Sequence, residues 1–297
     1  NLLYSQSVRG IQPHWISAYL DQGKPEVVIQ HGRMNRFKSH LPGVIRPDVI
    51  PTEDGMILSE LDSVPGGIGF TANLATQYSK LGYQIVGGKD GMMLGFTDMV
   101  RSLTQKDCPT LAIVVSDEAA DYRTEMEWFA SALHDAGLEA HTVKPYQIDF
   151  TEEGLYIQSS NTKLRIDLLY RFFELFDLPN IPKVELMLYG ARKRKVVITP
   201  PPKAYLEEKS LFALFCHPTL QSFWKRELGK TSFPFLQKVI PQTWLFDNHR
   251  LPPHAVIPGI EIGNLPVTDW RQISSGTQRE RELVLKPSGF SALAWGS

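Results

Sequence analysis

The feature that most constrains the fold is the run LAIVVSD at 111–117, a continuous β-rich apolar segment with no polar alternation. A strand that is apolar towards both sides must be covered on both faces, as in the interior of a parallel sheet. The residues that follow agree. Positions 123–136 carry Met126, Phe129, Ala130 and Leu133 at helical spacing, and Gly137 supplies the stop. LEAHTVKP (138–145) reads as a second strand and RIDLLYRFF (165–173) as a third. Strand, helix and strand at this spacing form a βαβ unit, so the expected class is α/β (α+β) with a parallel sheet.

Two further blocks flank this one. The first runs to about residue 104 and contains GVIRPDVI (43–50), a turn at Glu53-Asp54-Gly55, and MILSELDSV (56–64). Two β-biased runs joined by an acidic-glycine turn predict a hairpin. A helix follows in which Leu74, Tyr78 and Leu81 share one face, ended by Gly82. The last block starts near Val196, with a strand, a proline-fixed loop, a helix from about Tyr205 and another from Pro218. After a loop-rich stretch at 250–282, ELVLKPSG (282–289) predicts a short strand entering a glycine loop. At 297 residues the length prior is two domains, or three closely packed ones.

Composition removes several functional classes. Thirty-one basic against 32 acidic residues leave a net charge of −1, so no global field draws the chain to nucleic acid or acidic membranes. No run reaches the ~18 apolar residues of a membrane span, and the start lacks a signal-peptide pattern. Cys108 and Cys216 exclude a disulfide scaffold and a CxxC metal site, and fit reduced thiols in a cytoplasmic protein. The chain opens at Asn1 rather than Met and stops at Gly296-Ser297, directly after the expected strand and glycine loop. Further sequence at one or both ends is therefore expected. The eight histidines have no zinc spacing, and neither HExxH nor GxSxG occurs.

The densest chemistry lies on the expected hairpin. Asp48 sits near the end of one strand, and Glu60 and Asp62 are two apart on the return strand, so they share a face. Three hard oxygen donors suit Mg²⁺ held with nucleotide phosphates, and Arg46, on Asp48's face, could neutralise a transferring phosphoryl group. The competing reading is a solvated acidic hairpin with surface ion pairs of little energetic worth. Pro65-Gly66-Gly67-Ile68-Gly69 then precedes a helix, where free backbone N–H groups can receive an anion; such a turn is also ordinary loop chemistry. Lys209, one turn into an apolar helix, and Lys286, at the end of an apolar strand, either meet an anion or snorkel at an element edge. Tyr170-Arg171 and Glu174 lie at the carboxyl end of the third βαβ strand, the edge where open α/β sheets bind ligands. Arg171 there holds either a substrate carboxylate or a structural inter-domain ion pair. The run Arg192-Lys193-Arg194-Lys195 lacks interleaved aromatics and reads first as a solvated turn, with nucleic-acid binding second.

Taken in order, these features resemble the circularly permuted ATP-grasp proteins of the glutathionylspermidine synthase-like superfamily. Arg-x-Asp, followed twelve residues after that Asp by Glu-x-Asp, resembles their magnesium and phosphate motif at Arg46, Asp48, Glu60 and Asp62, with Asp62 where the family has Asn. DLLYRFF resembles the strand that ends a pre-ATP-grasp domain, and TPPPKAYLEEK and LVLKP resemble the later lysine-bearing segments.

The resemblance implies a permuted ATP-grasp fold with an inserted pre-ATP-grasp Rossmann-like βαβ domain. Residues 1–104 would carry the metal-bearing half, 105–190 the inserted domain, and 191–297 the lysine-bearing half, with the adenine-binding strands beyond residue 297. It implies a ligase with ATP and Mg²⁺ as cofactors, joining a small-molecule carboxylate to an amine through an acyl phosphate. Asp48, Glu60 and Asp62 would hold Mg²⁺, and Arg46 would stabilise the transferring phosphoryl group. Lys209, Lys286, Ser288 and Gly289 would contact ATP, and Gly66, Gly67, Arg171 and Glu174 the substrate. The loop after Lys286 has fewer glycines than such loops usually carry, so a nucleotide-binding relative without turnover is the alternative. Neither nucleic acid nor membrane is an expected partner, and a homo-oligomer is compatible with the motifs.

Overall fold

The computed structural model describes residues 1–159, 162–247, 255–287, 290, 291 and 293. The chain divides into two compact units, Asn1–Val49 with Ser59–Glu207, and Ile50–Leu58 with Glu208–Ser297.

The first unit opens with three short helices, α1 (Leu2–Val8), α2 (His14–Asp21) and α3 (Glu26–Arg33), which the sequence reading did not anticipate. They bury Leu3, Ile16, Leu20 and Val28. The expected hairpin follows as β1 (Arg46–Thr52) and β2 (Gly55–Asp62), its base belonging to the first unit and its tip to the second. Gly55, at φ 130°, takes the turn conformation that disfavours a side chain.

Two helices, α4 (Ile68–Lys80) and α5 (Gly91–Thr104), precede the sheet. The helical reading of 74–81 holds, but the face that packs is another one. Ile68, Ala72 and Ala75 are buried, whereas Leu74, Tyr78 and Leu81 lie towards solvent. Small residues on the inner stripe let α4 approach its neighbour closely, and a count of large apolar side chains selects the opposite stripe.

Strands β3 (Thr110–Val115), β4 (Glu139–Val143), β8 (Leu168–Phe172) and β9 (Val197–Thr199) form a sheet in the order β4-β3-β8-β9, and all three pairings are parallel. Helix α6 (Arg123–Asp135) connects β3 to β4, as the βαβ reading requires. Leu111, Ile113 and Val115 stand opposite Leu168, Tyr170 and Phe172 and pack against Val100 of α5 and Met126, Phe129 and Leu133 of α6. Each of those six strand residues is no more than 3% exposed. At about 25 cal/mol per Å² of apolar surface, this core is the main source of stability in the unit. Between β4 and β8 lies an antiparallel sheet of β5 (Ile148–Thr151), β6 (Gly154–Ser159) and β7 (Thr162–Arg165) that the sequence reading passed over. Helix α7 (Val184–Arg192) then leads into β9. Because β9 pairs with β8, the first unit runs past the expected boundary at 190 and ends at Glu207.

The second unit contains α8 (Ser210–Cys216) and α9 (Gln221–Val239), the latter interrupted at Gly229, whose φ of 70° is not helical. A short turn at Pro218–Leu220 precedes α9, close to the expected start. Strands β10 (Glu261–Ile262) and β11 (Leu265–Pro266) lie beside a small core of Ile257, Ile260 and Val267. The strand expected at 282–287 does not form: these residues are irregular, and Val284 and Leu285 are exposed. No described strand pairs with them, and an apolar run without a neighbouring strand has no ladder to join. No described helix is long and apolar enough to cross a membrane.

Candidate functional site

The carboxyl edge of the parallel sheet in the first unit gathers most of the predicted residues. Arg46 occupies the centre of the hairpin base. Its Nε donates to Asp48 Oδ1 at 2.8 Å, its Nη1 to the Gly66 carbonyl at 2.7 Å, and Asp62 lies 3.3 Å away. Asp48 and Asp62 therefore meet across a guanidinium. Burial raises the Asp62 pKa, while the Val64 N–H and Arg46 oppose that rise; Asp48 and Glu60 add negative field. Glu60 is half-buried and has a partner of its own. The sequence reading thus brought together residues that do assemble, and the cation at their centre is a side chain.

That arrangement bears on Mg²⁺. Carboxylates are the right donors for a hard cation. As placed, however, they do not fit one: among the described residues no three acidic, histidine or cysteine side chains are positioned to hold a metal ion. As placed, Arg46 supplies the positive charge between Asp48 and Asp62.

The glycine turn already has partners within the protein. Gly67, at φ 82°, caps α4, as expected for a loop entering a helix. Its N–H donates to Glu125 Oε2 at 3.1 Å, and that of Gly69 donates to Glu125 Oε1 at 2.8 Å. The anion at this helix N-terminus is the protein's own carboxylate, a favourable pairing with the helix dipole. Gly66 is glycine because a Cβ there would overlap the Tyr122 ring. In this structure Gly66 serves close packing and Gly67 an internal bond. No sequence signal pointed to Glu125, an ordinary acidic residue in the first turn of α6.

Beneath the hairpin, Arg171 is 1% exposed. Its guanidinium donates to Glu207 and to the Phe173 carbonyl, and at 3.3 Å to the Pro200 carbonyl. These bonds place Arg171 in an ion pair within one unit rather than between domains, and engage three of the five guanidinium N–H groups. Glu207, the first acid of the LEEK motif, also accepts from Ser63 Oγ at 3.4 Å. Burial raises its pKa, against the pull of Arg171. Glu174 is pushed up to about 8, first by burial and then by Glu207, with Arg171 opposing. That rise favours the protonated carboxyl, the form that can donate a hydrogen bond. The Tyr170 hydroxyl is buried nearby with no partner, inside the fields of Asp62 and Glu125. Lys203, absent from the sequence reading as a site, is 1% exposed and donates to the His40 carbonyl at 2.6 Å; burial lowers its pKa to about 8.

The remaining predicted residues belong to the second unit. Lys209 sits at the N-cap of α8 rather than one turn into a helix, because the segment from Tyr205 forms a short 3-10 turn, Ala204–Leu206, before α8 begins. Lys286 is exposed in the irregular stretch. Both lysines have interaction partners. Ser288 and Gly289 lie outside the described residues. The carboxyl-edge cluster is therefore a set of carboxylates and two arginines already paired with one another. No protein-family model and no curated protein matches the chain.

Proposed function

We propose that the chain is part of an ATP-dependent ligase of the permuted ATP-grasp type, joining a small-molecule carboxylate to an amine. The observation that carries this reading is the meeting of Arg46, Asp48 and Asp62 at the hairpin base, with Glu60 in the same field. In the proposed reaction a substrate carboxylate oxygen attacks the γ-phosphorus of ATP and ADP leaves. The amine nitrogen then attacks the acyl carbon, phosphate departs, and the amine gives up a proton. Such chemistry asks a protein for positioning and charge neutralisation. Arg46 is the residue for that role, since its guanidinium could exchange a carboxylate for a phosphoryl oxygen at similar geometry. Lys209 and Lys286 enter as proposed phosphate contacts, and a cytoplasmic location, with ATP and reduced thiols, belongs to the same reading. No step is assigned to Mg²⁺, which these side chains would hold only after rearrangement.

A second reading has its own support. Every polar group of Arg46 that the cluster uses is satisfied internally, and the glycine turn is closed by Glu125. This favours a nucleotide-binding or scaffolding relative without turnover. The deciding experiment is ADP release from ATP with a panel of carboxylates, with and without amines, beside thermal unfolding with ATP in the presence and absence of Mg²⁺. Amine-dependent ADP release that vanishes in Arg46→Ala supports the ligase. A magnesium-dependent thermal shift without ADP release supports the second reading. No shift and no release, with wild type and Glu60→Gln alike, rejects both.

A further inference from the structure

The opposite, amino edge of the same sheet carries a cavity of about 420 Å³ beside the edge strand β9, within the first unit. Its volume falls in the range of small-molecule sites, ~300–1,000 Å³. Charge is what sets it apart. Arg36, Lys106, Arg165, Arg194 and Lys195 border it, against one carboxylate, Asp167. That carboxylate is already used: it accepts from Lys106 Nζ at 2.7 Å and from the Thr110 N–H at 3.1 Å. Arg36, Arg165, Arg194 and Lys195 form no ion pair among the described residues. In a chain of net charge −1, four unneutralised cations around one concavity repel each other, and an anion would relieve that repulsion.

A second, independent feature lies in the same cavity. His31 lines it, is 3% exposed, and its Nε2 has no hydrogen-bond partner. The ring stacks on Phe37 with centroids 4.3 Å apart. Burial, then the charges of Arg192, His40 and Lys203, lower its pKa to about 4, so it is a neutral imidazole. A buried polar nitrogen without a partner is costly, by about 1–3 kcal/mol, and ligand oxygens commonly meet such groups. Phe37, Ile198 and Pro201 supply an apolar wall. The basic run at 192–195 is thus not simply a solvated turn: two of its members face this cavity.

We propose that this cavity binds a small molecule carrying two or more phosphoryl groups. Guanidinium forks match phosphate oxygens in pairs, and a concave, partly apolar site favours a compact ligand. A nucleic-acid strand would instead want an open groove with exposed aromatic platforms, and Phe37 is 5% exposed.

The test is calorimetric titration of the full chain with inorganic tripolyphosphate in buffer containing a chelator, so that no divalent cation contributes. Wild type, Arg165→Gln/Arg194→Gln, Arg165→Lys/Arg194→Lys and Glu60→Gln are compared. Expected are saturable one-to-one binding with Kd at or below about 1 mM, weakening with salt, and a loss of at least ~tenfold per guanidinium in the Gln variant. The Lys variant should recover part of the affinity, and Glu60→Gln should bind as wild type does, whether or not the ligase reading holds. Absence of saturable binding, or equal affinity in the Gln variant, overturns the proposal. So does capture of an oligonucleotide or anionic vesicles without tripolyphosphate binding.

Discussion

The two ends of one parallel sheet handle charge in opposite ways. At the carboxyl edge, Arg46, Arg171, Asp48, Asp62, Glu125 and Glu207 are each engaged by another group of the protein, and Arg171 is buried. At the amino edge, Arg36, Arg165 and Arg194 are exposed and unpaired among the described residues. Paired charges at the first edge fix loops and strand ends to one another. Unpaired charges at the second do nothing for the fold that an apolar or neutral residue could not do. The sequence alone suggested the reverse emphasis, because the motif-like residues lie at the carboxyl edge and the basic run looked like a solvated turn.

The largest expected effect breaks the carboxyl edge. Arg171→Met should cost about 3–5 kcal/mol in chemical denaturation, since it leaves the largely buried Glu207 carboxylate without its cation. A loss below ~1 kcal/mol would mean that the buried pair does not form. Next is Glu125→Ala, which removes the acceptor of two backbone N–H groups and should cost about 2–3 kcal/mol. If tripolyphosphate then protects α4 from hydrogen exchange, the glycine turn is an anion site that the protein itself fills.

Glu174 sharpens the comparison through pH. Its folded pKa of about 8 exceeds the ordinary carboxylate value of 4.5, so between these pH values the folded state binds more protons than the unfolded chain. Stability contributed at this site is therefore present at low pH and declines as pH rises through that window. Glu174→Gln should flatten the decline and raise Tm at pH 8 by roughly 2–4 °C, the effect of about 1 kcal/mol in a chain of this size. An unchanged pH profile would show that Glu174 is solvated. Arg46→Ala should change stability by no more than ~1 kcal/mol, because its pairs are half-exposed, while ligase turnover, if present, should collapse. The smallest effect belongs to the amino edge, where Arg165→Gln should leave unliganded Tm unchanged within the equivalent of ~0.5 kcal/mol.

Much of the first unit was legible in sequence for reasons that are local. LAIVVSD had to be an inner strand because no polar alternation offered a wet face, and α6 followed from Met126, Phe129, Ala130 and Leu133 at helical spacing with Gly137 behind them. The hairpin followed from an acidic-glycine turn between β-biased runs. The inner face of α4 was missed because alanines at 72 and 75 carry little hydrophobic signal, yet allow the approach that buries them. The strand at 282–287 was missed in the other direction: an apolar run is a strand only if another strand lies beside it.

By itself, then, the sequence determined the parallel βαβ core and the hairpin that carries Arg46, Asp48, Glu60 and Asp62, since both depend on periodicity over a few residues. Only the tertiary structure decided who neutralises whom. That Arg46 stands between Asp48 and Asp62, that Glu125 closes the glycine turn 58 residues away from Gly67, and that Arg36, Arg165 and Arg194 surround one cavity are all facts about through-space distance. Electrostatic energy depends on that distance and on burial, and neither is carried by the order of residues along the chain.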